Sequence, residues 1–197
     1  MMCWNSKMIV RNSETYERRV NVSKEDLLQE AENRGCKYSQ ECHYCGQCTL
    51  LAIQEVLGLA SDDALKAATG FAGGIGRTGS VCGALIGGVM AIGLSCGRNL
   101  QTMKHPDKEA RLNLEKELRL LSLVKRLSAR FEEEFGSTLC DDIERRIFGR
   151  SFDKWDPEDK RQKEIMGGYE KDKCPMVVGK GARWAVELIM EERARSG

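Results

Sequence analysis

Apolar residues along this chain recur at the three- and four-residue spacing of helices rather than at the alternating spacing of strands. The longest run follows His105-Pro106, where apolar residues recur at helical spacing from residue 112 to residue 131. The C-terminal segment has a second run. Its inner stripe is Val178, Ala182, Ala185, Val186 and Ile189. Alternating runs of β-branched residues bounded by turn residues are missing. The pattern predicts an all-α protein.

Signals for helix starts and stops divide the pattern into seven or eight helices. Ser23, Ser61 and Thr138 are suitable N-cap residues, and Asp156-Pro157 places a proline in a first helical turn. The predicted helices cover residues 23–34, 48–57, 61–69, 81–95, 107–135, 138–148, 156–166 and 174 onwards. We expect a single compact bundle around the glycine-rich helix 81–95.

Composition and charge exclude several classes of protein. The chain has 31 basic and 30 acidic residues, a formal net charge of +1, which does not indicate nucleic-acid binding. Its first 20 residues lack the pattern of a secretory signal, so we expect a cytoplasmic protein. The 20 uncharged residues between Arg77 and Arg98 include six glycines, which favours a buried helix over a membrane span. We predict an N-terminal extension at 1–22 and a helical, cysteine-rich redox domain at 23–197.

Nine cysteines are many for a cytosolic chain, and in a reducing compartment they favour metal or redox chemistry over disulfides. Cys42, Cys45 and Cys48 match the spacing of the first three cysteines of a bacterial ferredoxin run, but Ala52 stands where the fourth would fall. A zinc site is possible, although paired Cys-x-x-Cys knuckles are missing. His43 and His105 are the two histidines, and both are interpreted as solvated or structural.

A glycine-rich loop, Gly74-x-Gly76-x-x-Gly79, precedes the central helix. A dinucleotide site would need a strand before the loop and an acidic residue about 20 positions later, and neither is present. The loop is better explained as an entry to a helix that begins near Cys82. Unpaired amides and the helix dipole at that end stabilise a thiolate. With Arg77 nearby, they predict a lowered pKa for Cys82.

The same placement recurs at other cysteines. Cys140 follows the predicted cap Thr138, Cys174 precedes Pro175, and Cys48 lies at the predicted start of its helix. If these helix ends converge with that of Cys82, they form a positively polarised pocket lined with sulfur. Such a pocket suits an iron–sulfur cluster, a metal ion or a pair of exchanging thiols. Gly79 and Arg77 of the loop are predicted to border it, and Cys45 is a further possible ligand.

The chain resembles the C-GCAxxG-C-C family, which is named for its cysteine pattern. The resemblance covers residues 45–190 and depends on the segments CGQCTLLAI, GFAGGIGRTGSVCGALIGG, FEEEFGSTLC, FGRSFDKWDPED and DKCPMVVGKGARWA. It implies redox activity and places the four family cysteines at Cys48, Cys82, Cys140 and Cys174. A similar domain occurs in split-Soret cytochromes, beside haem. No Cys-x-x-Cys-His haem attachment motif is present here.

Three functions are consistent with these residues. In the first, the four cysteines bind an iron–sulfur cluster or another metal centre and pass electrons to a partner protein. In the second, Cys82 is the low-pKa thiolate of a thiol–disulfide oxidoreductase, with Cys45 or Cys48 as its resolving thiol. In the third, a zinc–thiolate site only stabilises the helices. A homodimer is possible, and no membrane partner is expected. Four cysteines stay unassigned: Cys3, Cys36, Cys42 and Cys96.

Overall fold

The computed structural model describes residues 23–100 and 108–196. In that part of the chain it contains eight α-helices and no β-strand, which confirms the all-α prediction. The helices are α1 (Lys24–Cys42), α2 (Cys45–Leu57), α3 (Asp62–Ala67), α4 (Gly83–Cys96), α5 (Lys108–Phe135), α6 (Cys140–Phe148), α7 (Pro157–Ile165) and α8 (Cys174–Ser196). A 3-10 turn, Ala68–Phe71, follows α3. The predicted extension 1–22, with Cys3, and His105 lie outside the described residues.

Several predicted helix ends are confirmed by their local chemistry. Ser23 and Asp26 form a capping box at the start of α1. Ser61 caps α3 by accepting the backbone N–H of Ala64 at 3.2 Å. Asp156 is the N-cap of α7, directly before a proline. These caps are specified by short-range hydrogen bonds, which is why the sequence alone reveals them.

Helix α1 is longer than predicted, since it continues past residue 34 to Cys42. The sequence favours an early stop at Gly35, but this glycine serves a contact between helices. A Cβ on Gly35 would lie 3.0 Å from the Cα of Gly179 in α8. The two helices therefore cross closely at these glycines. Gly35 is the residue of α1 that least favours a helix, and this contact stabilises the helix where it passes through Gly35.

Helix α4, the predicted central helix, lies inside the bundle, but α8 makes the more extensive contacts, with α1, α2, α4 and α5. Helix α4 packs against α2, α5 and α8, and half of its residues are buried. Gly87 allows a close approach of the two backbones, because a Cβ there would lie 2.5 Å from the carbonyl oxygen of Gly46 in α2. The backbones of α2 and α4 are consequently near each other where α4 begins.

The apolar stripes of the last long helices behave differently. The predicted inner stripe of α8 is buried throughout. In α5, by contrast, Leu127 and Phe131 are buried whereas Leu114 and Leu118 are more than half exposed. Among the described side chains of α5, the buried ones lie in the second half of the helix. Among the described helices, none combines the length and the apolar character needed to cross a bilayer.

Candidate functional site: a cavity lined by cysteines

Four helices of the bundle begin at a cysteine. Cys45, Cys140 and Cys174 are the first residues of α2, α6 and α8, and Cys82 is the N-cap of α4. The predicted placement at helix N-termini holds for Cys82, Cys140 and Cys174. The predicted start of α2 at residue 48 is wrong, because this helix begins three residues earlier. Cys45, rather than Cys48, is therefore the cysteine at its N-terminus.

The chain turns from α1 into α2 within two residues, and the sequence gives little indication of that turn. His43 ends α1 in the left-handed conformation at φ 64°, a position usually taken by glycine. Tyr44 is the N-cap of α2 and makes no side-chain capping bond. Since neither residue is a usual stop or start signal, the boundary cannot be read from the sequence.

The four helix starts border one cavity of about 470 Å³. Its lining includes five cysteines, namely Cys42, Cys45, Cys82, Cys140 and Cys174. Cys48 does not line it. That side chain is 3% exposed and lies in the hydrophobic core. Of the four cysteines that the sequence singled out, the structure thus brings three to the cavity, and Cys45 stands where Cys48 was expected.

The glycine loop before α4 has a strongly left-handed backbone. Gly73, Gly74, Gly76 and Gly79 all have positive φ, as do two non-glycine residues, Ile75 and Arg77. Carbonyl groups of the loop accept hydrogen bonds from several amides of the same loop. Arg77 N–H donates to the carbonyl of Ala72 at 2.9 Å, and Gly79 N–H donates to the carbonyl of Gly73 at 3.1 Å. These amides are consumed by the turn and are not available to hold a phosphate, which agrees with the rejection of a nucleotide site.

The end of this loop pairs with the segment that precedes α6. Val81 and Leu139 form an antiparallel bridge. Cys82 N–H donates to the carbonyl of Thr138 at 2.8 Å, and Cys140 N–H donates to the carbonyl of Ser80 at 2.7 Å. The backbone hydrogen bonds thus hold the beginnings of α4 and α6 side by side, so that Cys82 and Cys140 face the same cavity.

Glycine is also required where α4 meets α2. A Cβ on Gly83 would overlap the sulfur of Cys45 and would lie 2.5 Å from the carbonyl oxygen of Phe71. The absence of a side chain at residue 83 therefore makes room for the Cys45 sulfur directly beside Cys82. This contact joins the third of the four cysteines to the pair that the backbone bridge holds.

Three thiols of the cavity, those of Cys82, Cys140 and Cys174, are disfavoured as thiolates, contrary to the prediction for Cys82. Burial raises the pKa of Cys82 to about 12, and negative charge on Cys45 adds to this, while the amides of Ala84 and Leu85 act in the opposite direction. Burial likewise raises the pKa of Cys140, followed by the charge on Cys82. The prediction of a lowered pKa is wrong because desolvation outweighs the helix N-terminus.

A buried group of charged residues adjoins the cysteines, and sequence reasoning missed it. Glu144 of α6 is 1% exposed and accepts hydrogen bonds from Lys154 Nζ at 3.0 Å and Lys163 Nζ at 2.7 Å. All three residues line the cavity. One signal was available: Glu144 lies four residues after Cys140 and four before Phe148, hence on the same face of α6 as both.

The remaining predicted site residues occupy different places. Arg77 lines the cavity, and its guanidinium lies 5.6 Å from the centre of the Trp155 ring. Gly79 is not among the lining residues, and a Cβ there would overlap the carboxylate of Asp141. Cys36 and Cys96 also lie outside the lining. In the described residues, no three His, Cys, Asp or Glu side chains are arranged so that they could hold a single metal ion.

Comparison with known sequences agrees with the cysteine pattern. The sequence model of the family described as "Putative redox-active protein (C_GCAxxG_C_C)" matches residues 43–188. The chain belongs to this family. The matched range contains all the residues that line the cavity except Ser39 and Cys42, and it also contains the buried Cys48. The match also confirms the resemblance inferred from the motifs.

One curated relative and the solved structures complete the comparison. An uncharacterized protein of Archaeoglobus fulgidus is 29% identical to this chain over 118 residues, which are 58% of this chain and 74% of that protein. No solved structure matches. The description of the family thus indicates redox chemistry, and the cysteines of the cavity are the residues available for it.

Proposed function

We propose that this protein transfers electrons and that Cys45, Cys82, Cys140 and Cys174 bind an iron–sulfur cluster. The observation that supports this most directly is the convergence of four cysteines, each at the N-terminus of a different helix, on one cavity. Thiolates are the protein ligands of such clusters, and amides near the sulfur atoms stabilise them further. The donor set and the surroundings both fit the group.

The size of the cavity favours a group larger than one ion. A volume of about 470 Å³ is within the usual range of small-molecule sites. The cavity therefore has room for a cluster, whereas a zinc ion that only stabilises the helices would fill little of it.

Repulsion between the cysteine thiolates favours an occupant that carries positive charge. A negative charge on Cys45 or Cys174 raises the pKa of Cys82, so without compensation the thiols disfavour one another as thiolates. The thiolates of Cys45, Cys82, Cys140 and Cys174 would hold the iron, whose positive charge would compensate theirs, and the thiol protons would be released on binding. When bound, an iron–sulfur cluster supplies one-electron transfer.

The chain itself controls the surroundings of the centre. Apolar side chains of Ala84, Ile143 and Val177 line the cavity and limit water there. His43 and Tyr44 line the same cavity and are exposed, so we place the approach of an electron-donating or electron-accepting protein on their side.

A thiol–disulfide enzyme is less well supported, because Cys82 with a pKa of about 12 is a thiol at neutral pH.

Anaerobic purification of the full chain tests the proposal. The absorption spectrum is recorded, and iron, acid-labile sulfide and zinc are measured per chain, before and after reconstitution with ferrous iron and sulfide. We expect a coloured protein that contains iron and sulfide in similar amounts. Stoichiometric zinc without sulfide would contradict the cluster and support the stabilising metal site. A colourless, metal-free protein in which Cys82 is alkylated rapidly at pH 7 would support the thiol–disulfide enzyme.

A further inference from the structure

Residues 155–173, the flap, border the cavity without taking part in the core. The flap consists of α7 and the turns that lead to α8. More than half of its residues are charged, and its one buried residue is Gly168. Trp155, its largest side chain, is 70% exposed and lies 5.6 Å from the Arg77 guanidinium. The flap nevertheless supplies four residues of the cavity lining, which are Lys160, Lys163, Glu164 and Tyr169.

Both ends of the flap adjoin residues that are firmly held. Lys154 Nζ, directly before the flap, donates to Asp141 Oδ1 at 2.6 Å and to Glu144 Oε2 at 3.0 Å. Its third acceptor is the carbonyl of Phe152 at 3.1 Å. An ammonium group has three N–H donors, so that of Lys154 is saturated. After the flap α8 begins, and its second residue, Pro175, is fully buried.

Two contacts open to water join the flap to neighbouring parts of the chain. Arg150 Nη2 donates to Asp159 Oδ1 at 2.6 Å, and the Arg150 side chain is half exposed. The Tyr169 ring lies 3.9 Å, centre to centre, from the ring of the exposed His43. An exposed ion pair contributes little to stability. Neither contact places a buried side chain of the flap in the core.

The buried contact of the flap is the ion pair between Lys163 and Glu144. Lys163 Nζ donates to Glu144 Oε1 at 2.7 Å and lies 5.7 Å from the centre of the Phe148 ring. The two side chains are 15% and 2% exposed. Burying an ammonium group is costly, so its return to water offsets part of the pairing lost when the flap moves away. Glu144 Oε2 still accepts from Lys154 Nζ at 3.0 Å and from Phe152 N–H at 3.3 Å. The pair can therefore open without leaving the carboxylate unpaired.

We propose that the flap is a lid that opens between Lys154 and α8 to give access to the cavity, and that the Lys163–Glu144 ion pair is its latch. Regions with few buried apolar contacts open at a lower cost in free energy than the core. The opposite walls contain core residues such as Ala84 and Val177, which cannot move without exposing apolar surface. This inference goes beyond the proposed function, because it concerns access to the cavity and holds whichever group the cysteines bind.

Hydrogen exchange of the full chain tests the opening. The nine residues of α7 are too few for a helix that is stable alone in water, so its amides should exchange when the flap opens. In the wild type we expect them to exchange faster than the amides of α8, and Lys163→Met should accelerate them severalfold. Arg161→Met is the matched control, because Arg161 lies on the same helix, is 66% exposed and pairs with Glu158. Exchange in α7 as slow as in α8 would overturn the lid, and equal rates in the two variants would overturn the latch.

A second measurement follows access to the thiols of Cys140 and Cys174. The chelator-treated full chain, checked for helix content, is alkylated in parallel by iodoacetamide and by a bulky, neutral N-substituted iodoacetamide. The ratio of the two rates does not depend on the thiolate fraction, because both reagents attack the same thiolate. We expect the ratio of bulky to small reagent to rise severalfold in Lys163→Met and to stay near the wild-type value in Arg161→Met.

The outcomes separate the lid from the proposed function. An unchanged ratio in Lys163→Met would overturn the lid even if exchange were faster, because the flap would then open without uncovering the cavity. Faster alkylation of the core thiol Cys48 in this variant would also overturn it, since that result means general unfolding. Both results leave the iron–sulfur proposal intact, because iron and sulfide content decides it. A protein that loads no cluster would refute that proposal and leave the lid in place.

Discussion

At the level of single residues, the position of the Cys45 sulfur requires that residue 83 has no side chain. The space that a side chain at residue 83 would fill holds the Cys45 sulfur and the Phe71 carbonyl oxygen. Gly93, on the same helix, has no neighbour within 4 Å of the corresponding position. Comparing substitutions at these two glycines of α4 therefore distinguishes the effect of the contact from the general effect of glycine on helix stability.

We predict opposite effects of alanine at these two glycines. Gly83→Ala should destabilise the protein by roughly 1–3 kcal/mol, because it overfills a packed contact, and should displace the Cys45 sulfur. Gly93→Ala should stabilise it by roughly 0.5–1 kcal/mol through helix propensity. Urea unfolding measures both changes. Equal effects at the two positions would show that the contact with Cys45 is unimportant.

Cys48 gives a prediction about pH. Burial, followed by the charges on Cys42 and Cys45, raises its pKa from 9.0 to about 12. The folded state therefore keeps this proton between those two values, whereas the unfolded chain loses it. The corresponding stability is fully present below pH 9 and is lost as the pH rises towards 12.

The measurement is the difference in unfolding free energy between the wild type and Cys48→Ala, determined at several pH values from 8 to 11 under reducing conditions. Above pH 9 the wild type should lose about 1.4 kcal/mol per pH unit more than the variant. Parallel curves for the two proteins would mean that Cys48 is not the buried thiol described here. Because the comparison is a difference, other groups that titrate in this range cancel.

At the level of elements, the antiparallel bridge between Val81 and Leu139 aligns α4 with α6. Gly79 lies at its edge, and its carbonyl accepts the N–H of Asp141 at 3.1 Å. Gly79 and Gly76 both have left-handed backbones, with φ of 75° and 61°. A Cβ on Gly79 would overlap the Asp141 carboxylate, but a Cβ on Gly76 would have no neighbour within 4 Å.

We expect Gly76→Ala to cost only the left-handed strain, roughly 1–2 kcal/mol. Gly79→Ala should cost more, since Asp141 must move and the bridge must loosen. The proposed cluster should also be affected, so iron per chain should fall in Gly79→Ala but not in Gly76→Ala. Thermal unfolding and iron analysis of the two variants provide the test. If both lose iron to the same extent, the bridge does not position Cys82 and Cys140.

The sequence predicts most elements of this fold but not the contacts between them. Helix starts at Ser23, Ser61 and Asp156 follow from local capping, which acts within a few residues. The length of α1 and the start of α2 depend on a close approach to α8 and on a turn at His43, and these are tertiary effects. For the same reason the sequence favours Cys48 over Cys45, because the helix boundary at His43 and Tyr44 lacks the usual start and stop residues.

The sequence predicts the pKa values and ion pairs of the site less well than it predicts where the site lies. A helix N-terminus correctly indicates where Cys82 lies, but it does not reveal that the thiol is buried, and burial decides the direction of its pKa. Glu144 and Lys163 are separated by 19 residues and meet only in the folded chain. Local patterns of charge on α6 and α7 are those of ordinary exposed helices.

On the scale of the whole molecule, the cavity depends on the assembly of the bundle rather than on any one motif. Four of its five cysteines come from the beginnings of helices, Cys42 comes from the end of α1, and its buried carboxylate comes from the middle of α6. The close crossing of α1 and α8 at Gly35 and Gly179 joins the segment that leads into Cys45 to the helix that begins at Cys174. A centre at this position would therefore stabilise the packing of the bundle and would be lost with it.

The most direct test is the cluster content of two single-cysteine variants, Cys45→Ala and Cys48→Ala. Both are purified anaerobically and reconstituted beside the wild type, helix content is checked, and iron and acid-labile sulfide are measured per chain. We predict that Cys45→Ala loses the cluster because its sulfur lines the cavity, and that Cys48→Ala keeps it because that sulfur lies in the core. Loss of iron and sulfide from Cys48→Ala together with full retention in Cys45→Ala would contradict this assignment of the four ligands.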